Sequence, residues 1–136
     1  MSWPFAQDGI VIATPGYHGG VSGLVKNAID LLEDLREDKR SYFDGRAVGL
    51  IVTAAGWQAC GVTLMSMRGI VHAVRGWPTP HGITINTVAQ RAIVNGQIAD
   101  PGVIESIAIA GASCGRVRNG KTWRLPRDSC GKHAHG

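Results

Sequence analysis

Between Gly9 and Leu32 the chain runs from an unbroken apolar segment through a glycine-rich turn into an amphipathic helix. Gly9-Ile10-Val11-Ile12-Ala13 is apolar and rich in β-branched residues, the pattern of a buried strand. The next stretch concentrates Pro15, Gly16, Gly19 and Gly20, which predicts a loop over Pro15–Gly20. Ser22 suits the N-cap of a helix reaching Leu35, with Leu24, Ala28, Leu31, Leu32 and Leu35 along one side. A strand-to-helix loop of this kind stands at the carboxyl end of a parallel sheet. There, doubly wound α/β proteins bind their ligands.

The same alternation continues. Polar residues 36–45 form a connection, and Ala47-Val48-Gly49-Leu50-Ile51-Val52-Thr53 is apolar enough for a strand covered on both faces. A second loop, Ala54–Gly61, precedes a helix from about Val62 to Arg75 that buries Leu64, Met67, Val71 and Val74. Gly76 and Pro78 stop it. Gly82–Asn86 is the third strand, and Ala92–Ile98 an irregular excursion around Asn95-Gly96. Asp100 caps the last helix, Pro101 opens it, and Val103, Ile104, Ile107, Ala108 and Gly111 are its expected buried side. Three strands alternating with three helices predict a parallel α/β sheet with right-handed crossovers. The division expected is a domain over 1–115 and a basic, aperiodic tail over 116–136.

Composition narrows the function classes. A chain of 136 residues, 44% hydrophobic and 18% charged, has material for a single core. The net charge of +4 does not form a nucleic-acid face. Arg36, Lys39, Arg40 and Arg46 are interleaved with Glu37, Asp38 and Asp44, with no aromatic-interleaved basic face beside them. Cys60, Cys114 and Cys130 lack metal-ligand spacing, and no apolar run reaches the roughly 18 residues of a membrane span. These features lead to the expectation of a cytoplasmic protein with reduced thiols and no nucleic-acid or membrane partner.

The segment Thr14-Pro15-Gly16-Tyr17-His18-Gly19-Gly20-Val21-Ser22-Gly23-Leu24-Val25-Lys26-Asn27-Ala28-Ile29-Asp30-Leu31-Leu32 resembles the NADPH-dependent FMN reductases of the flavodoxin-like superfamily. Their third strand ends in Pro-Glu-Tyr-Asn-Gly-Ser, followed by Pro-Gly-x-Leu-Lys-Asn-Ala-Ile-Asp-Trp-Leu. Pro15, Tyr17, Gly19, Gly23, Lys26, Asn27, Ala28, Ile29, Asp30 and Leu32 match that pattern. Gly16, His18, Gly20 and Val25 depart from it. The resemblance implies a flavodoxin-like doubly wound parallel sheet that is N-terminally truncated, holding the family's strands 3, 4 and 5. Strands 1 and 2, and the Gly-Ser-x-Arg loop that cradles the FMN phosphate, have no counterpart.

The resemblance further implies FMN and NAD(P)H as cofactors. It places the flavin ring against Pro15, Gly16, Tyr17, His18 and Gly19 on one side and Ala55, Gly56 and Trp57 on the other. The implied activity is an NAD(P)H-dependent flavin or quinone-type reductase, with hydride transfer through bound FMN to a small electron acceptor. The competing reading is a catalytically inactive module that associates through its sheet edge. The resemblance also implies a homodimer or homotetramer, since family members are commonly dimers or tetramers, and the uncovered apolar edge of Gly9–Ala13 adds to that expectation. Cys60, near a helix start, is the candidate nucleophile of a third reading. Lys26 and Asp30, four residues apart, suit a surface ion pair.

Overall fold

A computed structural model describes residues 9–90 and 92–118. β1 (Gly9–Tyr17), β3 (Ala47–Ala54) and β4 (Trp77–Asn86) are parallel neighbours. A short antiparallel strand, β2 (Gly20–Val21), completes the sheet order β2-β1-β3-β4. The expected parallel order of the three principal strands is therefore observed. α1 (Gly23–Asp30) connects β1 to β3, α2 (Trp57–Ala73) connects β3 to β4, and α3 (Pro101–Arg118) follows β4. A small hairpin of β5 (Ile93–Val94) and β6 (Gln97–Ile98) separates β4 from α3.

Strand periodicity splits the core into two layers. Val48 and Leu50 point to one face, where they pack with Ile29 and Leu32, Phe43, and Met67 and Val71 of α2. Ile51 points the other way, joining Ile83, Ile85, Val103, Ala110 and Ile107 beneath α3. The two crossover helices thus cover one face and α3 the other, so the strands' carboxyl ends share one rim.

Several boundaries differ from the sequence expectations, each for a physical reason. β1 continues past Ala13 to Tyr17, and Pro15–Gly20 is a tight β-hairpin in place of a loop. Its turn residues His18 and Gly19 have φ of 50° and 84°, the pair of positive values that a two-residue hairpin turn requires. The excursion after β4 uses the same device at Asn95 (φ 50°) and Gly96 (φ 76°). β4 begins at Trp77 rather than Gly82. Pro78 and Pro80 are tolerated because β4 is an edge strand and its register against β3 shifts between Val48 and Leu50. α2 begins five residues earlier than expected, leaving only Ala55 and Gly56 between strand and helix.

The first helix differs most. Ser22 caps α1 as expected, its hydroxyl accepting from the Val25 N–H at 3.3 Å. After Asp30 the chain tightens into a 3-10 turn over Leu31–Leu35, whose period of three brings Leu32 and Leu35 onto the core side. Ile29 and Val25 complete that side. Leu24, Ala28 and Leu31 instead lie on the outside, with Leu24 81% and Leu31 62% exposed. On α3, Asp100 caps as expected, accepting from the N–H groups of Gly102 and Val103 at 2.8 and 3.2 Å. Its buried side runs through Val103, Ala110, Ser113 and Cys114, while Ile104, Ala108 and Gly111 are exposed. The tail expected from residue 116 starts within this helix, which runs to Arg118; residues 119–136, with Cys130, His133 and His135, lie outside the described residues.

Candidate functional site

The ends of β1 and β3 are adjacent, which brings the two predicted wall segments together. Pro15 is the register partner of Thr53, two residues before Ala55. Pro15 and Gly16 are half-buried at the end of β1, while Tyr17, His18 and Gly19 form the exposed tip of the hairpin. Ala55 is exposed, Gly56 is the N-cap of α2, and Trp57 is its first residue, 55% exposed.

The hairpin rests on the first half of α2. A Cβ added at Gly16 would stand 2.6 Å from Thr63 Oγ1 and 3.4 Å from the Ala59 carbonyl oxygen, so only glycine allows this approach. Thr63, fully buried, donates its hydroxyl to the Gly20 carbonyl at 3.4 Å. Thr14, also buried, accepts the Ser22 N–H at 3.1 Å and donates to the Pro15 carbonyl at 2.9 Å, tying the strand end to the cap of α1. On the other wall, Thr87 donates both its N–H (2.9 Å) and its hydroxyl (3.2 Å) to the Ala54 carbonyl. Asn86 holds the turn after β4 by accepting from Val88 and Ala89. These residues position both walls, and the sequence reading missed all of them. Their only signal was a polar residue interrupting or ending an apolar run.

The groups that the rim offers to a ligand belong to the backbone. The start of α2 has no side-chain cap and no acidic residue in its first turn. Its first N–H groups and the positive end of its dipole therefore remain available to an electron-rich acceptor. A Cβ added at Gly20, Gly23 or Gly56 would meet nothing within 4 Å, so the rim is open there. Neither wall, Pro15–Gly20 nor Ala55–Trp57, contains Lys, Arg, Asp or Glu. A phosphate finds no Lys or Arg on either wall. Beside the rim, Thr53, Ile85, Thr87, Gln90, Ala92 and Ile93 line a cavity of about 220 Å³. That is below the roughly 300–1,000 Å³ of typical ligand pockets and too small to enclose a flavin.

The remaining candidates belong to the scaffold. Cys60 is 1% exposed and donates its S–H to the Ile85 carbonyl at 3.5 Å, so the nucleophile reading fails for want of access. Burial pushes the Cys114 thiol above its usual range, partly offset by a backbone hydrogen bond from Gly49. Both thiols are expected to resist a thiol-selective alkylating agent in the native protein and to react on unfolding. Rapid native labelling at Cys60, read by peptide mass mapping, would contradict this packing. His72 is exposed near the end of α2. Lys26 and Asp30 form the expected exposed ion pair at 2.7 Å. No group of three metal-ligating side chains occurs among the described residues, and none of their helices is long and apolar enough to cross a membrane.

This arrangement is that of an α/β protein whose parallel strands end on one shared rim, the place where ligands bind in such folds. The defining pattern of the NADPH-dependent FMN reductases matches residues 5–90, and the chain belongs to that family. It is 36% identical over 75 residues to an FMN-dependent NADPH-azoreductase of Staphylococcus aureus, a match covering 55% of this chain and 36% of the azoreductase. The chain therefore spans about a third of the length of the curated relatives it matches. Among solved structures, an oxidoreductase from Corynebacterium diphtheriae aligns with a TM-score of 0.56 at 20% identity, over 84% of this chain and 55% of that one. A flavodoxin, WrbA-like protein from Agrobacterium tumefaciens aligns with the same TM-score at 19% identity, over 84% of this chain and 68% of that one. At these identities the solved structures establish the flavodoxin-like fold.

Proposed function

We propose that this chain carries the flavin-ring side of an NAD(P)H-dependent FMN oxidoreductase that reduces a small acceptor such as a flavin or a quinone. The observation that carries the reading is the convergence of two charge-free segments, Pro15–Gly19 and Ala55–Trp57, on one rim. The family match and the named activity of the Staphylococcus aureus relative support it. FMN, when bound, supplies the redox chemistry. The chain's residues hold and orient the ring. The uncapped start of α2 offers N–H donors to its electron-rich edge, the hairpin tip offers backbone groups, and Tyr17 and Trp57 offer aromatic faces. Thr14, Thr63 and Thr87 keep those groups in place.

No acid, base or nucleophile on the walls is required, because the protein's part is orientation and electrostatics. The test is NADPH consumption by the purified chain with added FMN and a soluble quinone, measured above the protein-free background. Protein-dependent consumption that falls at least tenfold in Trp57→Ala is the expected result. Flavin binding without any protein-dependent turnover would remove the enzymatic part of the reading, and absence of flavin binding would remove all of it.

A further inference from the structure

We propose that the cavity between the end of β4 and the β5–β6 hairpin is a binding site for a small neutral molecule, a single ring bearing a carbonyl group, whatever the rim itself binds. Thr53, Ile85, Thr87, Gln90, Ala92 and Ile93 line it, and it measures about 220 Å³. Ile85 and Ala92 are buried, Thr53 and Gln90 half-buried, and Thr87 and Ile93 exposed, so the lining grades from the core to solvent. Its frame is held without a ligand. Gln90 is clamped at both ends of its amide: Oε1 accepts the Asn86 N–H at 3.0 Å, and Nε2 donates to the Asp100 carboxylate at 3.5 Å. The Ala92 carbonyl accepts the Ala99 N–H at 2.8 Å, closing the base of the hairpin. A site fixed in this way loses little freedom when it is filled.

Volume and lining choose the occupant. A dry cavity of about 150 Å³ admits benzene, so 220 Å³ takes one substituted ring. Ile85, Ala92 and Ile93 give that ring apolar contact. The Thr53 hydroxyl has no hydrogen-bond partner among the described residues, and Gln90 Nε2 keeps a second N–H. Both are donors suited to a carbonyl oxygen. Thr87 has committed its hydroxyl proton to the Ala54 carbonyl and is left as an acceptor for an N–H or O–H on the ligand. None of the six side chains is charged, and Asp100, which Gln90 contacts, is committed to the cap of α3. A charged ligand would lose hydration with none of the six to pair against, so the ligand is neutral. Thr53 is the register partner of Pro15, and Thr87 holds Ala54, so the site adjoins the rim without belonging to either wall.

Benzamide, one ring with a neutral carboxamide, is the probe, titrated into the isotopically labelled full chain and followed by NMR. The amide signals of Thr53, Ile85, Ala92 and Ile93 are expected to shift and to saturate at millimolar concentration or below. Benzoate and benzylammonium, the same ring with a charge of either sign, are expected to bind at least about tenfold more weakly. Thr53→Val keeps the shape of the side chain and is expected to weaken benzamide binding about three- to tenfold, the net effect of one neutral hydrogen bond. Ile93→Trp, at an exposed position, is expected to fill the mouth and remove binding, a readout that survives if Thr53→Val unfolds. Absence of a saturable shift overturns the proposal. So does saturation confined to Tyr17, Gly19 and Trp57, which would put the probe on the rim. Benzoate or benzylammonium binding as tightly as benzamide, unchanged affinity in Thr53→Val or intact binding in Ile93→Trp overturns it as well.

Discussion

Riboflavin and FMN are expected to bind the 136-residue chain with affinities within about threefold of one another. On the proposed reading both walls meet the ring through backbone groups and aromatic faces, and neither contains Lys or Arg that could answer a phosphate. A charge-assisted hydrogen bond contributes about 1.5–3 kcal/mol, so a cradle of two or three would impose a preference of roughly a hundredfold or more. A longer family member that has the phosphate loop is expected to show that preference for FMN. Flavin fluorescence quenching, run in parallel on the two proteins, measures both. Tight binding of FMN with riboflavin excluded would mean that a phosphate site exists on this chain away from the two walls.

Gly16→Ala is expected to lower stability by about 1–3 kcal/mol and to abolish flavin binding at micromolar concentrations, because it overpacks the contact that joins the hairpin to α2. The new methyl group would stand 2.6 Å from Thr63 Oγ1 and 3.4 Å from the Ala59 carbonyl oxygen. Thr63 is fully buried and short, and its Cβ would also stand 3.3 Å away, so relief requires the hairpin to lift from the helix. Lifting it breaks the Thr63 bond to the Gly20 carbonyl and separates the walls. Thermal unfolding should register the change as a drop of at least about 5 °C. Adding Thr63→Ala removes the nearest obstruction, so the double variant is expected to lose less than the two single losses combined, the signature of direct coupling. Additive losses would show that Gly16 acts elsewhere.

Much of this architecture is legible in the chain before any coordinates are known. The apolar runs at Ile10–Ile12 and Val48–Val52, the caps at Ser22 and Asp100, and the segment from Pro15 to Leu32 lead to a parallel α/β sheet and to the family. These features are local. A β-branched run, a capping oxygen or a glycine at a turn acts through neighbours a few residues away, so linear order is enough to reveal them. The two wall segments were legible for the same reason, since strand ends that precede helices gather at one rim.

What the sequence left open depends on contacts between residues far apart in the chain. The first helix bears two apolar stripes one residue apart, Val25-Ile29-Leu32 and Leu24-Ala28-Leu31, and periodicity favours neither. The sheet has room for one, and the 3-10 turn after Asp30 selects the first. Prolines that look like strand breakers at 78 and 80 stay in β4 because that strand lies at an edge. Thr14, Thr63 and Thr87 hold the rim across gaps of 8, 43 and 33 residues, pairings that no local pattern encodes. Local sequence thus determined which elements form and in what order. Tertiary packing decided which helix face is buried, which edge admits proline and which hydroxyls hold the site, because each depends on the partner that long-range folding supplies.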